Sequence, residues 1–133
     1  FTGSFSPVIS TNGNRIAINS NASLVGMSDG NRELFYFDLI TNMFTQVTNG
    51  PNVPGSNCEV HDINADGTRI SFACPQDIHG GNGAPARTEI FLFDTVTMMF
   101  TPITDTTFPV LTLGNSIIAD GTLVAFDSTV SLT

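Results

Sequence analysis

The sequence predicts an all-β chain of antiparallel four-stranded β-propeller blades. There are about two and a half blades, in an open array that this chain alone does not close. Three observations carry the prediction. A nine-residue stretch occurs three times, as STNGNRIAI (10–18), NADGTRISF (64–72) and IADGTLVAF (118–126), and its turn glycines Gly13, Gly67 and Gly121 are spaced by 54. A longer stretch occurs twice, as ELFYFDLITNMFTQVT (33–48) and EIFLFDTVTMMFTPIT (89–104), at a spacing of 56. No segment keeps a helical apolar period over the length a helix needs.

The first unit reads as strands at 6–10, 15–19, 33–39 and 43–47, and the second as strands at 58–63, 69–74, 89–94 and 98–103. Their residues are β-branched and aromatic, alternate in places and are separated by turn residues. The recurring glycine joins the first strand of a unit to the second. DLITNMF and DTVTMMF read as hairpin connections between the third and fourth. The long loops 20–32 and 75–88, rich in Gly, Asn and Ser, link the second strand to the third. The third unit carries only two strands and stops at 126–127, before a Ser/Thr tail. The predicted units are therefore blade 1 at 1–54, blade 2 at 55–108 and a half blade at 109–133. A repeat of four strands and about 50 residues is the mark of a propeller blade.

The order Ser-x-Asp/Asn-Gly-x-Arg-Ile-x-Phe, then Glu-Ile-Phe-x-Phe-Asp, then Phe-Thr-x-Ile-Thr resembles the TolB-like propeller repeat, a family related in shape to the WD-repeat propellers. The resemblance covers nearly the whole chain. Where the family usually has Pro before Asp-Gly, this chain has Thr11, Ala65 or Ala119. The resemblance implies the fold. It leaves the task open, because such blades serve in periplasmic transport accessories, peptidase gating domains and many surface proteins.

Composition narrows the task by exclusion. The chain has 133 residues, one domain in size, and 41% hydrophobic residues, enough for a core. Its basic residues are Arg15, Arg32, Arg69 and Arg87, with no Lys, and the net charge is −8. Such a surface repels phosphate backbones and anionic membranes, so neither nucleic acid nor a membrane is an expected partner. No apolar run approaches the roughly 20 residues of a membrane span. A chain opening on Phe1 is expected to be a processed product or a piece of a longer one. A ring needs about four blades to close. The open faces then have three outcomes: further blades of a longer propeller, self-association into a ring or filament with strand addition by the half blade, or a small stack of sheets.

The stretch DINADGTRISF (62–72) raises a metal question. Asp62, Asn64, Asp66 and Gly67 match the opening of a calcium loop, but the twelfth position, where a bidentate Glu belongs, is Ala73. The neighbouring units carry Val8, Ser10, Asn12 and Ser116, Ile118, Asp120 at the three ligand positions. The calcium reading is therefore the weaker one. The stronger reading is a hairpin corner in which Gly67 supplies a positive φ and Asp66 caps the loop.

A three-residue loop at 65–67 places Asn64 opposite Thr68 and, counting outward, Cys58 opposite Cys74. Facing residues of an antiparallel pair lie within disulfide range, so a Cys58–Cys74 disulfide is expected. It implies an extracellular or periplasmic setting. The same cysteines with His61 and His79 superficially suit zinc. Strand alternation puts Cys58 and His61 on opposite faces, which works against convergence.

No catalytic constellation emerges: there is no nucleophile elbow, and HGGNG (79–83) lacks the Lys and the strand-to-helix context of a phosphate loop. Asp38 and Asp94 are expected to anchor the turns that follow them, and Glu33 and Glu89 to meet Arg15 and Arg69. The Met98-Met99-Phe100 cluster reads as core packing. NAS (21–23) is a glycosylation sequon. The expected function is a secreted, non-catalytic module for protein interaction or self-assembly, without a cofactor, whose partner is copies of itself or the rest of a longer propeller. The alternative is an accessory propeller domain of a larger periplasmic or extracellular enzyme or transport complex. Glycan binding is a weaker third reading, because the Asn-rich loops offer no aromatic platform.

Overall fold

The computed structural model describes residues 3–26, 30–50, 57–75, 78, 88–104 and 114–129. Among them are ten strands: β1 (Ser4–Ile9), β2 (Arg15–Ser20), β3 (Glu33–Asp38), β4 (Met43–Gln46), β5 (Glu59–Ile63), β6 (Arg69–Cys74), β7 (Glu89–Asp94), β8 (Met99–Pro102), β9 (Asn115–Ile117) and β10 (Val124–Phe126). They form two four-stranded sheets, ordered β1-β2-β3-β4 and β5-β6-β7-β8, and a two-stranded sheet of β9 and β10. Every pairing is antiparallel. Each four-stranded sheet is one blade, and among the described residues no further strand pairs with its outer strands.

The first strand of each full blade is bulged. In β5 the register shifts between Val60 and Asp62, and in β1 between Phe5 and Val8. The β1 irregularity contains Ser6, at φ 51°, and Pro7. An edge-strand bulge is where the ladder tolerates a residue without an N–H. The corner that follows is one residue longer than the sequence suggests. Asn64 N–H donates to the Arg69 carbonyl at 3.0 Å, so the loop is 65–68 rather than 65–67. The bulge at His61 takes that extra residue back. Glu59 then faces Ala73, and the disulfide joins Cys58 to Cys74 with 4.2 Å between Cα atoms.

Opposite charges meet at the end of the sheet where β2 begins and β3 ends. Arg15 faces Asp38 and Arg69 faces Asp94, and the two ion pairs close at 3.2 and 3.5 Å. The expectation that Glu33 and Glu89 meet these arginines is thereby corrected. The same register puts Glu33 opposite Ser20 and Glu89 opposite Cys74, at the far end of the strands. There Glu33 accepts from the Thr48 hydroxyl and Glu89 from the Thr104 hydroxyl. Each threonine oxygen in turn accepts a backbone N–H, from Leu34 and Ile90, at 2.9 Å. This pair of residues pins the end of the outer strand to the third.

The core lies between the two blades and centres on Phe72, Phe93, Leu34 and Ile70, all buried. Phe100 packs against Phe72 and Phe93, with ring centroids 6.1 and 5.0 Å away. Burying each such side chain is worth about 1.5–3 kcal/mol. The core-packing reading of the Met98-Met99-Phe100 cluster holds for Phe100 alone. Met98 sits in the turn at φ 60°, and Met99 points outward from the edge strand β8, so both are exposed.

Candidate functional site: the joints between blades

The described residues bring polar and apolar groups together repeatedly at one place, the joint where one blade packs on the next. Its foundation is the corner that recurs three times. In each copy a backbone N–H closes the four-residue loop: Ser10 to the Arg15 carbonyl, Asn64 to that of Arg69, and Ile118 to that of Leu123. Inside it Gly13, Gly67 and Gly121 donate to the carbonyls of Ser10, Asn64 and Ile118. All three glycines have left-handed φ, at +72°, +76° and +76°. A side chain is strained in that region.

Two of the three glycines have a second reason to lack a side chain. A Cβ added to Gly67 would lie 3.0 Å from Cβ of Arg15, and one added to Gly121 would lie 3.1 Å from Cγ of Arg69. The arginine stem of one blade therefore lies directly over the corner glycine of the next. Arg15 goes further: its Nη1 donates to the Gly67 carbonyl at 3.1 Å and to the Thr95 hydroxyl. The glycine thus serves as a socket for the preceding blade.

Three further contacts fasten the joints. Asn19, buried on β2, donates to the Cys58 carbonyl at 2.8 Å and accepts from Val60 N–H at 2.6 Å, so its amide imitates a strand partner for β5. Asp62 reaches the third unit, where it accepts from the Ser116 hydroxyl at 2.7 Å and Ile117 N–H at 3.0 Å. The backbone adds Asn12 N–H to the Ala65 carbonyl at 3.0 Å and Ala65 N–H to that of Ala119 at 2.9 Å.

The calcium-like residues do not share a centre. Asp62 turns to the third unit. Asn64 Oδ1 accepts from Arg69 N–H at 2.8 Å, and Asp66 Oδ1 accepts from Thr68 N–H at 2.9 Å and from its hydroxyl at 2.6 Å. The Thr68 hydroxyl and N–H hold the Asp66 carboxyl below the usual range, and the Thr122 N–H and hydroxyl do the same for Asp120. Asp38 and Asp94 are lowered too, first by N–H donation from Thr41 and Thr97. These are the bonds by which both aspartates anchor their turns. In the zinc-like set both cysteines are spent in the disulfide. His61 occupies the bulge, where burial lowers its pKa against the opposing pull of Glu59 and Asp127. His79 and the HGGNG stretch lie outside the described residues.

Sequence reasoning missed Asn19 and the true task of Asp62. Neither recurs: the positions equivalent to Asn19 hold Ala73 and Asp127, and those equivalent to Asp62 hold Val8 and Ser116. The arginine socket did leave a signal, since Arg15 and Arg69 each follow a turn glycine by two residues.

The chain has the β-propeller repeat fold of the TolB type. TolB from Acinetobacter baumannii matches with a TM-score of 0.59 at 20% identity over 90% of this chain. The β-propeller domain of the trilobed protease from Pyrococcus furiosus, described as having an open velcro topology, matches with 0.59 at 17% identity over 95%. The tricorn protease matches with 0.66 at 14% identity over 95%. The chain spans 25%, 34% and 11% of the lengths of these three structures. No protein-family model and no curated protein matches the sequence.

Proposed function

We propose that the chain is a secreted, non-catalytic propeller-repeat module that works by docking protein onto the open face of its first blade. One observation carries this reading. Ile9, Ile63 and Ile117 are the same position in the three units, yet their exposures are 60%, 6% and 7%. The preceding blade packs on the second and third, and no described residue of this chain packs on the first in that way. Gly13 agrees: nothing lies within 4 Å of a Cβ placed there, where Gly67 and Gly121 each carry an arginine. The disulfide supports an oxidising, extracellular or periplasmic compartment. A second reading, an accessory propeller domain of a larger enzyme or transport complex, draws on the small share of its structural neighbours that the chain spans.

The face can be tested by supplying a blade. An extra copy of unit 55–108 is fused ahead of residue 1, so that its arginine falls over Gly13 in the natural order. Neighbouring repeats unfold together when their interface forms. The fused chain should melt in one transition above that of the parent. Two separate transitions, with the parent midpoint unmoved, would contradict a docking face.

A further inference from the structure

We propose that His61 makes the joint between the second blade and the third unit an acid-sensitive latch, closed while its imidazole is neutral and released when the imidazole takes up a proton.

His61 stands where a latch would act. It is the bulge residue of β5, between Val60 and Asp62. Those two neighbours fasten β5 to the units on either side. Val60 N–H is held by Asn19 of the first blade at 2.6 Å, and the Asp62 carboxylate holds Ser116 and Ile117 of the third unit. The bulge also takes up the extra residue of the corner, and so fixes where Asp62 falls along the strand. A ring that leaves the bulge therefore disturbs the residue that holds the third unit. The repeat itself does not call for histidine here. The equivalent residues, 54 positions before and after, are Pro7 and Asn115, neither of which titrates.

The ring is poorly placed to carry a charge. Its Nε2 is buried and has no hydrogen-bond partner among the described residues. A neutral imidazole can leave one lone pair unbonded, whereas an imidazolium has an N–H donor on each nitrogen and a charge that burial penalises. Burial is the larger influence and holds the His61 pKa below its ordinary 6.5, against the opposing pull of Glu59 and Asp127. Neither carboxylate bonds the buried nitrogen. Glu59 is engaged with Arg32 at 3.1 Å, and Asp127 accepts from Gly114 N–H at 2.7 Å. The strands packed on β5 bring no compensation. β1 and β9 carry no charged residue, and Arg15 of β2 and Arg69 of β6 are held by Asp38 and Asp94. Glu33 of β3 lies at the far end of its strand, with Thr48.

The direction of the pH effect follows. An opened joint gives the ring to water, where it binds a proton more readily than in the closed one. The joint is at full strength above pH 6.5 and weakens as pH falls below it. The closed-to-open ratio drops by up to about tenfold per pH unit, until the closed form also takes the proton. The capping aspartates Asp38, Asp66, Asp94 and Asp120, with pKa values lowered from 3.8, stay charged through this window.

NMR of the full oxidised chain between about pH 7.5 and about pH 5.5, the range in which histidine titrates, is the test. The His61 ring should titrate below 6.5. Exchange at the Ile117 amide, corrected for its intrinsic rate, should speed by up to about tenfold over the last pH unit, while exchange within β3 changes less. The chain has two histidines. His61→Asn, which installs the residue the third unit already has at this position, should abolish the acceleration, and His79→Asn should preserve it. Acceleration that persists in His61→Asn, or vanishes in His79→Asn, overturns the latch. The wild-type titration decides the matter even where His61→Asn does not fold. A ring that titrates at or above 6.5, or one that titrates low while Ile117 exchange stays flat, overturns the latch as well.

Discussion

Replacing Cys58 and Cys74 together by serine should lower the stability of the chain by about 2–5 kcal/mol, read from the urea midpoint. The bridge closes a loop with a sequence separation of 16 between two fully buried residues. The first blade supplies a natural control. At the same two positions it has Ser4 and Ser20, joined by a hydrogen bond of 3.1 Å. The serine pair therefore has a place in this fold, and the loss reports the covalent link rather than a packing defect. Reducing the wild type should reproduce it. An unchanged midpoint under reductant would show that the bridge contributes little to the stability of the second blade.

Asn19→Ala should destabilise by roughly 2–4 kcal/mol, because it leaves the buried carbonyl of Cys58 and N–H of Val60 without the amide that satisfies both. The effect should fall on the joint between the first two blades. Hydrogen exchange at the Val60 amide should accelerate more than exchange within β7. A loss below about 0.5 kcal/mol, the range of ordinary surface changes, would mean that Asn19 does not fasten that joint.

The sequence shows the repeat clearly because each blade must solve the same local problem. A corner between paired strands needs a left-handed residue, so Gly13, Gly67 and Gly121 keep their spacing. Aspartates that cap outer turns recur for the same reason, at Asp38 and Asp94. Register is harder to read. The β5 bulge at His61 has no residue signature, and the sequence yields the Cys58–Cys74 facing only because a loop one residue too short and the unseen bulge cancel. Partner choice along a strand is equally hard to read. Charge alone matches Arg15 and Arg69 to the glutamates of the next strand as well as to its aspartates, whereas antiparallel pairing delivers that strand's last residue to the first of its neighbour. The contacts between blades were the least legible. Asn19 and Asp62 occur once each, and a polar residue that bridges two sheets looks the same in sequence as one facing water. Exposure after folding separated Ile9 from Ile63 and Ile117, three identical residues in equivalent places.

The claim that the corner glycines are sockets for the preceding blade is tested most directly by comparing Gly13→Ala with Gly67→Ala in equilibrium unfolding. Both substitutions force alanine into a left-handed backbone, at a cost of about 1 kcal/mol. At Gly67 the new Cβ also meets Arg15 at 3.0 Å, whereas at Gly13 it meets nothing within 4 Å. The account predicts that Gly67→Ala loses about 1–3 kcal/mol more than Gly13→Ala, the range of an overpacked contact. Equal losses at the two sites would contradict it, leaving the glycines as turn residues with no part in joining blades.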